Sequence, residues 1–533
     1  MSFPPSVFRS AAFLAFVGPV LLLSTVLLPK RFINRFGLGF PKAVAALCMG
    51  VFGLACASAV CAGVMPQPAA QRLGIGAWGI ALHIDALSLT MQLLVSFLAL
   101  VVTRYSVHYL AGDPRHGEFA RWLAVTTGAV LTLIVSGNLL LFTVAWVATS
   151  LSLHQLLTFY PHGVGVVIAA QKKFLISRMG DACMVGALFL TWQCFGSWDF
   201  SEMFAQADVL RGQGAQVPAL GWTCVLLVAG ALLKSAQFPF HSWLPETMDT
   251  PTPVSALMHA GIINGGGYLV LRLSPIIAGS QAALNGLAVV GAFTALFASL
   301  VMLTQTSVKR SLAYSTVAQM GFMMLECGLG AFGLAVLHLV AHSLYKAHAF
   351  LSSGRVVELS RTRWVPKDRA KAQPLVLVAT LASALSITVG SGWLFGVTFQ
   401  SDPGVLLLGS VFTMALTYSL WNLWASSHRA SLLGWGLGMA VGAALSYFTL
   451  HTLFEKWFAD SLPHYAPPRE GWEIVGMVLV ALLFLGLIVL QTRLPAWSAT
   501  RVGQFFYVHA SQGFYVGTLA RRALQALNQK VTA

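Results

Sequence analysis

The sequence predicts an all-α polytopic membrane protein, and three observations carry that prediction. Of its 533 residues, 57% are hydrophobic and only 9% are charged, against about 25% charged in an ordinary soluble domain. The apolar residues gather into runs of about 20, the length a helix needs to cross a hydrocarbon core. Basic residues alternate between successive connections, plentiful in the odd ones and sparse in the even ones.

Taken in order, the first run, 11–29, is too long and too closely followed by Lys30 and Arg31 to read as a cleaved signal, and it lacks a small-residue cleavage site. It is expected to stay as a helix. The second, 41–63, holds Cys48, Cys56 and Cys61 without CxxC or Cys/His metal spacing, so these read as small buried residues. Runs at 82–103, 120–136 and 138–159 follow, and the sixth, 168–193, carries Gln171-Lys172-Lys173 and Ser177-Arg178-Met179-Gly180-Asp181. The seventh, 220–239, loses its uninterrupted apolar character at Lys234. The eighth, 254–273, contains Gly265-Gly266-Gly267 with no strand before it, which reads as close helix packing and not as a dinucleotide fingerprint. Runs at 277–303, 311–327, 329–353, 374–396, 404–425, 431–452 and 474–492 bring the total to about fifteen.

The odd connections collect Lys30, Arg31, Arg35, Arg104, Arg115, Arg121, Lys309, Arg310, Arg355, Arg361, Arg363, Lys367, Arg369, Lys371 and Arg429. The even ones hold little more than Arg72, Arg211, Lys456 and Arg469. By the positive-inside rule the odd connections are cytoplasmic, the N-terminus is outside and the C-terminus inside. The net charge of +15 therefore belongs to loops at a bilayer surface; no basic-aromatic domain is present to take nucleic acid. The last segment, 498–533, mixes Arg501, Arg521, Arg522 and Lys530 with Phe505, Phe506, Tyr507, Phe514 and Tyr515, and reads as a cytoplasmic amphipathic helix or a docking surface.

Chemistry is expected where polar residues enter these spans. Residues 232–272 read LLKSAQFPFHSWLPETMDTPTPVSALMHAGIINGGGYLVLR, with Lys234, His241 and His259 beside Pro239, Pro245, Pro251 and Pro253. A charge at membrane depth costs roughly 2.5–3.5 kcal/mol on insertion scales, and broken backbone there is tolerated only where protein or a water-filled cavity satisfies it. Such a stretch reads as part of an ion path. On the sixth span, Arg178 and Asp181 are spaced to pair, Lys173 lies toward the same side and Lys172 on the opposite one. These lysines either belong to the path or snorkel to the interface. His338, His342 and Lys346, at i, i+4 and i+8, stack on one helical stripe, as a proton wire requires. No Glu of an H-E-x-x-H motif and no third ligand accompany the histidines, so zinc is not expected there.

The segments KSAQFPFHSWLPETMDTPTPVSALMHA, VKRSLAYSTVAQMGFM and HLVAHSLYKAHAFLSSG, with HIDALSLTMQLLVSFLALVVTRYSVHYL and GNLLLFTVAW upstream, resemble the antiporter-like subunit-5 family of respiratory complex I and Mrp cation/proton antiporters. The resemblance covers roughly residues 80–360. It implies two inverted five-helix repeats with broken helices at their centres: N-terminal helices over 1–115, a first repeat over 116–272, a degenerate second over 273–425, C-terminal helices over 426–492 and the tail over 493–533. By position it makes Lys234 the central lysine and places Lys172 and Asp181 around the family's R-x-G-D stretch. His259 and Lys309 fall in further family segments, and His338, His342 and Lys346 on its polar helix.

Two departures separate the chain from a respiratory pump subunit. Where the family has G-W-E-G, this chain has Ala145-Trp146-Val147-Ala148, so the glutamate partner of a lysine is replaced by Val147; His154, seven residues on, is placed to stand in. The family's F-S-K-D-E-I break is also missing, since residues 386–397 read SITVGSGWLFGV. These losses, with the absence of a lateral helix, resemble the membrane subunits of Dab-type inorganic-carbon accumulation complexes. That resemblance implies a bacterial inner-membrane subunit with no cofactor of its own, conducting H+ or Na+ and docking a large cytoplasmic zinc protein similar to a β-carbonic anhydrase. A pumping subunit of a quinone- or hydrogen-linked complex, a part of an Mrp-type antiporter, and a non-conducting scaffold stand as alternatives.

Overall fold

The computed structural model describes residues 5–64, 69–73, 80–160, 164–214, 217–355, 374–397, 403–426, 430–463, 470–497 and 499–532. The N-terminal part comprises α1 (Pro5–Ser24), α2 (Lys30–Arg35), α3 (Gly39–Gly63), strands β1 (Ala69–Leu73) and β2 (Ile80–Ile84), and α4 (Ala86–Tyr109). Then come α5 (His116–Val135), α6 (Leu139–Leu157), α7 (Val164–Phe195), α8 (Phe200–Gly212), α9 (Pro218–Lys234), α10 (Trp243–Glu246), α11 (Thr252–Leu257), α12 (Gly265–Arg272) and α13 (Ser274–Ile277). The remainder is α14 (Gln281–Met302), α15 (Val308–Gly328), α16 (Phe332–Leu351), α17 (Pro374–Leu394), α18 (Pro403–Ser426), α19 (Ala430–Trp457), α20 (Gly471–Trp497), α21 (Arg501–Ser511) and α22 (Val516–Thr532).

Each of the predicted apolar runs meets a helical segment, but among the described residues only 12 segments are long and apolar enough to cross a membrane. Three expected spans fall short for identifiable reasons. The apolar stretches of α1 and α9 are shorter, α9 because it stops at Lys234, and α15 carries Lys309, Arg310 and Glu326. Large apolar side chains face outward, among them Trp192 and Phe189 on α7 and Val478, Leu479 and Leu482 on α20, each at least half exposed. Such a surface suits lipid and not water.

The helical prediction needs one correction. β1 and β2 pair antiparallel, Ala69 opposite Ile84 and Leu73 opposite Ile80, so the predicted span at 82–103 starts as strand. Asp85 sets the change: its carboxylate accepts from the Ser88 amide at 2.8 Å, while the Ser88 hydroxyl accepts from the Asp85 amide at 2.8 Å. This reciprocal cap starts α4 at Ala86 and no earlier.

Asp85 also ties the ends of the first half together. Arg272, at the end of α12, donates Nη1 to Asp85 Oδ2 at 2.8 Å and Nη2 to Oδ1 at 2.9 Å. Tyr268 donates its hydroxyl to the Ile134 carbonyl at 2.6 Å and accepts from Arg272 at 3.0 Å. Gly266 and Gly267 perform the close packing expected of them: a Cβ on Gly266 would lie 2.3 Å from the Ala231 carbonyl oxygen, and one on Gly267 2.2 Å from Met323 Cε. The Asp85–Arg272 pair is buried at both ends, and removing one partner of such a pair costs about 3–5 kcal/mol because the other charge is stranded. Asp85→Ala should therefore lower the melting temperature of the detergent-solubilised protein sharply, and an unchanged melting curve would contradict the stabilising role of the pair.

Candidate functional site

α9 ends abruptly inside the bundle. Ala236 takes φ +50, and the Gln237 amide reaches back to the Leu232 carbonyl at 3.2 Å, a Schellman-type stop that normally uses glycine. The freed groups find protein partners: the Phe238 amide donates to Thr294 Oγ1 at 3.1 Å, and the Ser235 hydroxyl donates to the Ile263 carbonyl at 2.9 Å. The next helix is broken too, with a π-helical turn at Met258–Ile262 between α11 and α12. Such turns absorb an extra residue in a helix and favour functional sites.

Lys234 sits at the first break, buried. Its amine donates to the Trp146 carbonyl at 3.2 Å and lies 4.3 Å from the centre of the Trp146 ring. Lys173 is buried beside it and donates to the Ser150 carbonyl at 2.7 Å and to the Ser150 hydroxyl at 3.2 Å. Both lysines line one small cavity whose other walls include Leu153, Leu233, Trp243 and Met258. Arg178 and Asp181 pair at 2.6 Å, as their spacing predicts, and Asp181 is within electrostatic range of both lysines. Lys172 points elsewhere: its amine donates to both Glu246 oxygens at 2.9 Å and to the Gly517 carbonyl at 2.8 Å.

His154 is not brought to Lys234. It packs against Phe174 at 5.2 Å between ring centres and is within electrostatic range of Lys173 and Arg178, while what meets the Lys234 amine is Trp146, from the very turn that holds Val147. His241 is buried among Phe238, Phe297 and Tyr314. Lys309 lies half-buried in the first turn of α15, with no hydrogen bond or ion pair among the described residues.

The second cluster forms on α16. His338 and His342 lie 6.1 Å apart between ring centres, and Lys346 is fully buried, donating to the Leu312 carbonyl at 3.0 Å and also bonding the Ser315 hydroxyl. His259, from the π-helical turn, contacts Thr316 Oγ1 through Nδ1 at 3.0 Å, stacks on Phe350 and is within electrostatic range of Lys346 and His342. Asn264 joins the clusters, donating to the Ser343 hydroxyl at 2.8 Å, while its neighbour Gly265 lies against the Lys234 stem.

Sequence reasoning missed two carboxylates. Glu246 is the only glutamate of the broken segment 232–272, and Glu326 lies inside an apolar run, where an ionisable residue is a functional candidate by default. Glu326 Oε2 lies 2.9 Å from His338 Nδ1. The C-terminal segment also departs from expectation. It folds as two helices, broken where Phe514 and Tyr515 take φ +49 and +62, and packs on the bundle through Lys172 and through Gln305, which donates to the Ser511 carbonyl at 3.1 Å. The basic loop Arg355–Lys371 lies, after its first residue, outside the described residues. Because Lys172 anchors α22, Lys172→Met should release it and speed tryptic cleavage at Arg521 and Arg522 of the solubilised protein; an unchanged digestion rate would refute the anchor.

A family model described as NADH:quinone oxidoreductase/Mrp antiporter, TM, matches residues 136–367. A second, described as NADH-Ubiquinone oxidoreductase (complex I), chain 5 N-terminus, matches residues 76–120. The chain is 38% identical over 513 residues to the probable inorganic carbon transporter subunit DabB2 of Halothiobacillus neapolitanus, covering 94% of this chain and 91% of that protein. It is 38% identical over 438 residues to the probable inorganic carbon transporter subunit DabB of Hydrogenovibrio crunogenus, covering 81% and 80% respectively. Among solved structures, a chain of the Mrp complex from Dietzia sp. superposes with a TM-score of 0.63 at 22% identity, over 99% of this chain and 59% of that one. That likeness concerns the fold. The broken helices, the buried lysines and these matches agree: the chain belongs to the complex I subunit 5/Mrp antiporter-like family of membrane proteins, and one relative of the DabB type aligns with it over nearly its whole length.

Proposed function

We propose that the chain is the proton-conducting membrane subunit of an inorganic carbon transport complex of the bacterial inner membrane. About fifteen crossings would include two inverted five-helix repeats, with the N-terminus outside and the C-terminus in the cytoplasm. The observation that supports conduction most directly is the small cavity shared by Lys173 and Lys234. Two amines buried within reach of one carboxylate, with only neutral oxygens as hydrogen-bond partners, have no structural purpose that apolar residues would not serve better. A proton passing between them changes one charge at a time, and Asp181 with Arg178 tunes the field they share. From there the path would run past Asn264 to His259, Lys346, His342 and His338.

The carbon-transport part of this reading draws on the DabB-type relatives. The partner would be a large cytoplasmic zinc protein similar to a β-carbonic anhydrase, and all zinc chemistry would lie there. In this chain no group of three His, Cys, Asp or Glu side chains is disposed to hold a metal among the described residues. Proton entry through the membrane subunit would drive net conversion of CO2 to bicarbonate.

Lys234→Ala should abolish inorganic carbon uptake while the complex still assembles; uptake at the unmodified level would sink the relay role. Purification of the native complex followed by metal analysis tests the partner. A large zinc protein is expected, whereas flavin or iron–sulfur subunits would identify a redox pump instead.

A further inference from the structure

The second half lacks the charged broken helix expected of its relatives. α17 runs unbroken from Pro374 to Leu394, and residues 386–397 contain no lysine or carboxylate. The stripe on α16 nevertheless continues past His338 into Glu326, which is buried. A carboxylate held there needs a reason, because burying it is costly and an apolar pair would stabilise the bundle at least as well.

Next to this pair a cavity opens between the α15–α16 connection, the start of α18 and the last turns of α19. Its α19 wall carries Tyr447, His451 and Glu455 at i, i+4 and i+8, one stripe of a helix. The rings of Tyr447 and His451 lie 6.4 Å apart, and His451 Nε2 is 3.5 Å from Glu455 Oε1. Tyr447 is within electrostatic range of both Glu455 and Glu326. Exposure falls along the series: the Glu455 side chain is 58% exposed, His451 15% and Glu326 8%. An exposed i, i+4 pair is ordinarily worth little, but here it lines a cavity whose wall includes Ala331, which donates its amide to the Glu326 carbonyl at 2.9 Å.

We propose that this cavity is a second proton vestibule, which replaces the missing broken helix as the connection of the second half to the aqueous phase. Its ligand is the proton, carried in by water. Glu455 takes it at the mouth, His451 and Tyr447 line its way inward, and Glu326 with His338 passes it to His342. Each transfer moves one proton and no electrons, the donor regaining its proton from the side of the mouth. The proposal rests on the conduction reading above and adds a route to it.

The test uses cells that depend on the intact complex for carbon uptake. Glu326→Gln should lower uptake by about 100-fold, the lower end of what a positioned proton-transfer group contributes, while Glu326→Asp recovers part of it and both variants assemble. Val405 lines the cavity but bears no proton. Val405→Cys should retain uptake until a charged, membrane-impermeant methanethiosulfonate, offered to intact cells and to inverted vesicles in turn, modifies it from one side and stops uptake. Peptide mass spectrometry locates the modification. Lys234→Ala runs in parallel. If it leaves uptake intact, the conduction reading fails. If it abolishes uptake while Glu326→Gln is as active as the parent, or the cysteine is unreactive from both sides, the vestibule alone is overturned.

Discussion

In the hydrocarbon of a bilayer no water is at hand to satisfy a backbone group or a charge, so a polar atom must find its partner in the protein or in a water-filled cavity. Lys234 concentrates that constraint at one point. Its helix ends there, exposing carbonyls whose partial negative charge favours a cation at the last turn, and its amine is further held by the Trp146 carbonyl and ring face. Together they hold the ammonium without a carboxylate in contact. The loss of the glutamate at Val147 is thus compatible with a buried lysine, because the break itself supplies part of the field a glutamate would have provided.

Two neighbouring lysines differ in what their partners allow. Lys172 meets both oxygens of Glu246 and a carbonyl of the C-terminal segment, so removing its proton would strand a carboxylate and loosen α22. Lys173 meets only the neutral oxygens of Ser150, and a proton can leave it without stranding anything in contact. Adjacent in sequence, the two project about 100° apart around α7, and their surroundings give them different capacities.

Helical periodicity made the different faces of Lys172 and Lys173 legible in the sequence, though not their different partners, along with the Arg178–Asp181 pair and the α16 stripe. The spans were legible because an apolar run long enough to cross lipid is seldom soluble in any setting but a bilayer. What stayed hidden depends on contacts across helices. Glu246 reaches Lys172 over 74 residues, and Glu326 meets His338 only because the chain turns back between α15 and α16. No spacing rule encodes either pairing. His154 lies on nearly the same face as position 147, but helical phase does not say which lysine of another helix it meets: it comes within electrostatic range of Lys173, while Trp146 meets the Lys234 amine. Likewise β2 lay within the reach of an apolar run, and only the reciprocal Asp85–Ser88 cap marks where helix begins.

The broken helix from α11 through α12 touches both buried clusters. Its π-helical turn presents His259 to Lys346 and His342; immediately after it, Asn264 binds Ser343 and Gly265 lies against Lys234. A charge arriving at either cluster therefore acts on the same short stretch of backbone. That stretch departs from a regular helix, since its π-helical turn holds an extra residue that could shift along the chain by exchanging i→i−5 for i→i−4 hydrogen bonds. Spatial intermediacy alone does not establish coupling; what couples two sites is an element with two arrangements that both sites bias. Of the segments between the clusters, this turn has the backbone freedom to be that element, and its Cβ-free glycines leave Met323 and Ala231 so close that any shift of α12 must move α15 or α9 with it.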